Sequence, residues 1–254
     1  MTWGNHTSVG VSFDLFDTLV TADYPADPAA AVATELAERG VSVPDDWADA
    51  YTEVHIDAPD GAEVPLPAHV SRALASRDVA VKGNAARRAV VAAFDPTVET
   101  RPGARAAIDA ARDRGHEVAL CSNCSVPELV GRALVRSSLS RDDFDGIVTS
   151  VGCGWRKPAP EIFEQTAAEL GVSATDLVHV GDDPRTDGGL ASVGGTALLL
   201  ADDRMTDGSS VSAEGPSGEP GDTHVLESLA ELPDALDALP DTLDKTESGG
   251  DRLR

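Results

Sequence analysis

Four short stretches of this chain end in polar residues able to act together. Asp14 follows the apolar run 9–13, and Ser122-Asn123 follows 117–121. Lys157 lies just past 146–150. Asp182-Asp183 follows 177–181, with Asp187 five residues after Asp182. Each run reads as a buried strand, and the crevice of an open α/β sheet lies at the carboxyl ends of its strands. An acid after a single strand can equally be a turn cap, and for Asp14 alone the two readings weigh alike. The recurrence at successive strand ends favours a site. Two or three carboxylates in one crevice repel one another unless a cation joins them. Mg²⁺ suits such a set, usually held by one or two carboxylates and substrate phosphate. Lys157 adds a point charge. Ser122 adds a hydroxyl donor, and the N–H groups beyond it can take an anion. A carboxylate nucleophile, an ammonium, a hydroxyl and Mg²⁺ are the parts phosphoryl transfer needs.

The elements that must position these groups alternate. Strands are expected at 9–13, 117–121, 146–150, 177–181 and 196–200, and a last edge strand at 223–225. Helices are expected at 101–114, 129–135, 159–170, 188–193 and 226–239. This alternation predicts an α/β fold, a Rossmann-like parallel sheet with helices on both faces. Residues 21–98 break the pattern. They hold helical segments at 28–39, 45–56, 67–77 and 84–94, punctuated by Pro59, Gly61, Pro65 and Gly83, and read as a small all-helical insertion. The core is then 1–20 and 99–239. Residues 202–222, rich in Gly, Ser, Pro and Asp, read as a flexible loop, and 240–254 as a disordered tail.

Composition narrows the classes. The chain of 254 residues is 41% hydrophobic but only 4% aromatic, so its core must be built from Val, Ala and Leu. A net charge of −24 argues against nucleic acid as a partner. Lysine occurs only at 82, 157 and 245, against seventeen arginines. An acidic, lysine-poor surface suits molar salt, where screening removes self-repulsion, and points to a haloarchaeal cytoplasm. No signal segment and no apolar run of membrane-spanning length is seen, so a cytoplasmic setting without a membrane partner is expected. Oligomeric state is not legible. Cys121, Cys124 and Cys153 are an odd number, and a functional thiol is not expected.

The four motifs resemble those of the haloacid-dehalogenase-like hydrolase superfamily. They are Phe13-Asp14-Leu15-Phe16-Asp17-Thr18-Leu19, then Ser122-Asn123, then Arg156-Lys157-Pro158, and Val180-Gly181-Asp182-Asp183-Pro184 with Asp187. The insertion at 21–98 is similar to that family's helical cap domain. The resemblance implies that Asp14 is the nucleophile and a Mg²⁺ ligand, with the Phe16 carbonyl and Asp182 as further ligands. Ser122, Asn123 and Lys157 would bind the transferred group, with Ser122 and Lys157 also catalytic. Asp187 would stand behind the site, and Asp183 would be either a ligand or a solvated turn acid.

One position departs from the pattern. Family phosphatases usually carry a second Asp two residues after the nucleophile, as general acid and base; this chain has Phe16. Losing such a group typically costs about 10²–10⁴-fold. Family dehalogenases carry an aromatic there, but they lack the metal-binding acid that Asp182 supplies. The lead expectation is a Mg²⁺-dependent phosphatase acting on a small phosphorylated metabolite with a good leaving group. The alternatives are a 2-haloacid dehalogenase and a catalytically weak binder of phosphorylated ligands. Asp17, His55 or His69 are candidate substitute acids, though both histidines read more simply as solvated helix positions. Trp155 either walls the crevice or covers the sheet edge. Arg72, Arg87 and Arg88 could meet a second anionic group, but read first as solvated arginines.

Overall fold

The computed structural model describes residues 9–201 and 221–239. Strand β1 (Gly10–Phe13) is buried throughout, because it becomes the centre of a sheet with both faces covered. A tight loop then leads into β2 (Val20–Ala22). Four helices follow: α1 (Pro28–Glu38), α2 (Trp47–Thr52), α3 (Leu66–Ala75) and α4 (Ala85–Ala93). Asp27 starts α1 by accepting a hydrogen bond from the Ala30 N–H at 2.9 Å, and Pro28 in the first turn lacks only a donor the helix would leave unpaired. Strand β3 (Val98–Thr100) returns the chain beside β2, antiparallel. The insertion is therefore not all helical: its two ends form a short ribbon, built from β-branched residues at both edges.

Beyond the ribbon the alternation is regular. Helix α5 (Ala104–Asp113), β4 (Glu117–Ser122), α6 (Leu129–Arg136) and β5 (Gly146–Thr149) are followed by one unforeseen turn of helix, α7 (Ser150–Cys153). Then come α8 (Pro160–Glu169), β6 (Leu177–Gly181), β7 (Thr196–Leu200), β8 (Thr223–Leu226) and α9 (Leu232–Ala238). The segment expected as a helix at 188–193 is a 3-10 helix, Asp187–Val193. The single helix expected over 226–239 divides into the end of β8, a 3-10 turn Leu229–Glu231 and α9. Pro233 explains the late start, since proline suits only a helix's first turn. The expected loop at 202–222 falls almost entirely outside the described residues, and the tail at 240–254 falls wholly outside them.

The six-stranded sheet has the order β5-β4-β1-β6-β7-β8, parallel throughout. Its two faces separate by the two-residue period of a strand. Val11, Phe13, Val118, Leu120, Val178 and Val180 join one apolar cluster with α5, α6 and α9, and that cluster continues into Val32, Leu36, Val70 and Val90 of the insertion. Ala119, Cys121 and Val148 face the other way, onto Ile162, Phe163 and Ala167 of α8. This second face also carries Ser12 and His179, which are neighbours in the β1–β6 register. The chain leaves β1, builds β4 and β5 on one side, then crosses to β6 on the other. The crevice at that reversal of strand order is where open sheets bind ligands.

Candidate active site

Asp14 stands directly beyond β1, with its backbone N–H bonded to the Val180 carbonyl of β6 at 2.8 Å. Its Oδ1 accepts from the Leu15 N–H at 2.8 Å. Asp182 extends from β6 and accepts from the Thr18 hydroxyl at 3.0 Å. Asp14, Asp182 and Asp187 each offer a carboxylate oxygen within 4.8 Å of the others. The turn holding Asp14 to Thr18 is fixed by bonds from the Leu19 and Val20 N–H groups to the Leu15 carbonyl, both 2.9 Å. Asp17 takes a left-handed φ of 60° there, a conformation Asp tolerates better than most residues.

Lys157 is the single buried lysine among the described residues, 1% exposed. Its Nζ lies 3.2 Å from Asp14 Oδ1 and 2.5 Å from Asp187 Oδ1. Burial opposes its charge, but Asp14 and Asp187 outweigh burial and hold the ammonium above its ordinary pKa. Asp187 shows the converse. Burial pushes its carboxyl up, yet Lys157 and the His179 hydrogen bond together hold it far below the usual range. Its Oδ2 also accepts from the N–H groups of Asp182 and Asp183, at 3.1 and 3.0 Å. Both Asp187 oxygens are thus occupied by the protein.

Behind Asp187 lies a polar stripe that the motifs did not reveal. His179 Nε2 is 3.0 Å from Asp187 Oδ1, and its Nδ1 is 2.9 Å from Ser12 Oγ. Burial, then Lys157, depress the His179 pKa, which favours the neutral ring. With Nε2–H donating to Asp187, Nδ1 accepts from the Ser12 hydroxyl, whose other acceptor is the Val178 carbonyl at 3.3 Å. The available sequence signal was a Ser and a His inside otherwise apolar strands; that they meet depends on strand register, which no local pattern carries. Gly181 belongs to the same assembly. A Cβ there would collide with the Asp187 carboxylate.

The expected phosphoryl-binding residues divide. Ser122 Oγ is buried and meets no partner at full hydrogen-bonding geometry, yet it stands close enough to Asp14 to act as a hydrogen-bond donor that lowers the Asp14 pKa. A buried hydroxyl without a well-formed bond is uncommon. Asn123 is tied to the backbone of Lys157. Its Nδ2 donates to the Lys157 carbonyl at 2.9 Å and its Oδ1 accepts from the Lys157 N–H at 2.7 Å. Both amide ends therefore clamp the backbone that carries the ammonium. Asp183 bonds the Arg185 backbone and guanidinium at 2.9 to 3.0 Å, as a turn acid would. Phe16 sits edge-on to Tyr24, ring centres 5.8 Å apart. His55 and His69 are half-buried and bonded within the insertion: their Nε2 atoms lie 2.6 and 2.7 Å from the Ala50 and Tyr51 carbonyls. Trp155 pairs with Ala62 of the insertion and packs beside α8. Cys121 and Cys124 are free thiols, pushed up to about 12 and about 11, chiefly by burial.

The remaining acids fit a divalent cation. With Asp187 satisfied, Asp14 and Asp182 are left as the carboxylates facing each other. Burial and the neighbouring Asp14 push the Asp182 pKa up to about 6, and burial, opposed by Lys157, raises that of Asp14. Two hard carboxylate donors whose charge Lys157 offsets only in part suit such an ion.

Residues 10–194 match the model of the haloacid dehalogenase-like hydrolase family. The chain belongs to that family. It is 29% identical over 135 residues to a ribulose-1,5-bisphosphate 5-phosphatase of Halopiger xanaduensis, covering 53% of this chain and 56% of the relative. It is 32% identical over 149 residues to haloacid dehalogenase-like hydrolase domain-containing protein 3 of Bos taurus, 56% of this chain and 54% of that one. The matches thus span about half the length of these relatives. Among solved structures, a HAD phosphatase from Thermococcus onnurineus aligns over 90% of this chain and 97% of its own, with a TM-score of 0.57 and 22% identity; this likeness concerns the fold.

Proposed function

We propose that the chain is a Mg²⁺-dependent phosphatase of a small phosphorylated metabolite, with Asp14 as nucleophile. One observation carries this reading: Lys157 Nζ lies 3.2 Å from Asp14 Oδ1, and Asp182 faces the same carboxylate. The Halopiger relative named as a phosphatase supports it. Asp14, Asp182 and the Phe16 carbonyl would hold Mg²⁺, which when bound neutralises charge on the acids and the phosphoryl oxygens.

Asp14 attacks phosphorus, forming one P–O bond as the bond to the leaving group breaks, and the leaving oxygen departs with the electron pair. Water then attacks phosphorus of the aspartyl phosphate, the P–O bond to Asp14 breaks with its electron pair returning to the carboxylate, and the water protons leave with the released phosphate. Lys157 offsets charge on Asp14 and on the transferred group. The Ser122 hydroxyl donates to a phosphoryl oxygen. Asn123 and Asp187 position Lys157 from its backbone and its ammonium respectively. Residues 21–98 serve as a cap that selects the substrate, in a protein working in the salt-rich cytoplasm its acidity suits.

Phe16 shapes the choice of substrate. A phenyl ring donates no proton, so the leaving group must depart as a stable anion, as from an acyl phosphate or an anhydride. Phosphate release from a panel of esters and anhydrides, with Mg²⁺ and with chelator, tests the reading; turnover indifferent to chelator would defeat it. Phe16 also favours a second reading, 2-haloacid dehalogenation, since halide leaves without a proton. Chloride release from 2-chloropropionate tests that reading, and a folded protein that releases none removes it.

A further inference from the structure

A cavity of about 370 Å³ lies away from Asp14, where α1, α4 and the start of α6 meet. It shares no lining residue with the cluster of Asp14, Lys157 and Asp182. Arg39, Arg87, Arg88 and Arg132 line it, against two acids, Asp95 and Glu128. Four positive and two negative groups leave a local charge of +2 in a chain whose net charge is −24.

The cations are incompletely matched. Arg87 pairs with Glu128 across the surface, both groups about half exposed. Arg132 reaches Asp95 at 3.3 Å and Glu128 at 3.8 Å. Asp95 is also shared with Arg136 at 2.7 Å. Arg39 spends Nη1 on Glu35, including its backbone carbonyl at 2.7 Å, while its Nε is buried with no hydrogen-bond partner. Arg88 appears in no ion pair among the described residues and faces the same cavity. Surface pairs of this kind are weak and rearrange readily, and an unbonded buried N–H favours whatever ligand satisfies it.

We infer that this arginine-lined cavity is a second anion site, taking a multiply charged oxyanion of the phosphate class. Its size lies within the range of small-molecule sites, and the guanidinium fork suits tetrahedral oxyanions. Arg39, Arg87 and Arg88 come from the insertion, and Arg132 from the helix that follows the Ser122 loop. A bound anion ties these two parts together and so biases how the insertion sits over the crevice.

The test reads binding, so it stands apart from the chemistry assigned to Asp14. Inorganic phosphate and glycerol phosphate are titrated calorimetrically into the whole chain and into its Arg88→Glu and Arg88→Gln variants. Any binding at the Asp14 site is common to all three proteins. The wild type is expected to show one additional event, weakened at least tenfold in Arg88→Glu and less in Arg88→Gln, with basal turnover and thermal unfolding unchanged. The tighter of the two probes shows whether a free anion or a phosphorylated metabolite fits better. Identical isotherms for the three proteins with both probes would overturn the inference.

Discussion

Asp187 Oδ1 stands 2.5 Å from Lys157 Nζ, and the same ammonium stands 3.2 Å from Asp14 Oδ1. A carboxylate sealed from solvent therefore sets where the cation beside Asp14 can be. Replacing Asp187 by Asn keeps the shape and removes the charge. Breaking a buried pair from one side costs about 3–5 kcal/mol, so Asp187→Asn should lower the urea midpoint markedly. Turnover should fall with it, as Lys157 loses its anchor. A variant with wild-type stability and wild-type kcat would show that the pair is not needed.

Asp14→Asn separates fold from chemistry. Amide nitrogen and oxygen can still occupy the turn, but neither attacks phosphorus. Removal of a nucleophile abolishes most of an enzyme's rate advantage, so kcat should drop by ~10³-fold or more while circular dichroism is unchanged. Chelator should silence the wild type equally, and added Mg²⁺ should restore it. Phosphate release surviving in Asp14→Asn would reassign the nucleophile.

Phe16 predicts a gain of function. Phe16→Asp places a carboxyl two residues beyond the nucleophile, on a turn already fixed by bonds to the Leu15 carbonyl. General acid catalysis is worth about 10²–10⁴-fold when well placed. The variant should gain most on alkyl phosphates, whose leaving groups need a proton, and little on acyl phosphates. The measurement is the ratio of kcat/KM for the two substrate classes. An unchanged ratio would mean that proton supply does not limit the wild type.

Gly181 has no space for a side chain, because Asp187 packs against its Cα. Gly181→Ala should destabilise by about 1–3 kcal/mol, the usual cost of overpacking a core. It should also reduce turnover by displacing Asp187 from Lys157. Gly171→Ala serves as the control: a Cβ there meets nothing, though its φ of 69° brings backbone strain, so it should lose stability without a matching loss of kcat.

The imidazoles predict a pH dependence. Burial, with Arg114 adding to it, depresses the His116 pKa below 6.5. The unfolded chain then binds more protons than the folded one as pH falls through 6.5, so this contribution is present above that pH and lost below it. Asp182 acts in the opposite sense, its carboxyl being raised. The clean measurement is therefore a difference. Between pH 8 and 5.5, His116→Asn should lose less stability to urea than the wild type does. Equal losses would mean that His116 titrates alike in both states.

What could be read from the sequence follows from how far each signal reaches along the chain. The strand runs ending in Asp14, Ser122 and Asp182 are local, each a few residues of apolar chain closed by a polar group, and the parallel sheet follows from their alternation with helices. Lys157 stood out through rarity, one of three lysines in the chain. Relations across strands were not legible. The Ser12–His179–Asp187 stripe requires knowing that β1 lies against β6 with residues 12 and 179 level. The place of Asn123 beyond a strand is a local signal, whereas its hold on Lys157 spans 34 residues of sequence. The ribbon of β2 and β3 was hidden for the same reason, its halves being three residues each and far apart.

That ribbon has an evolutionary corollary. Val20–Ala22 and Val98–Thr100 run side by side, so everything between them departs and re-enters through a single doorway. A recombination event with both crossover points in the ribbon exchanges the intervening module whole, leaving the order of the large sheet's strands untouched. Asp14, Lys157 and Asp182 all lie outside the segment so exchanged.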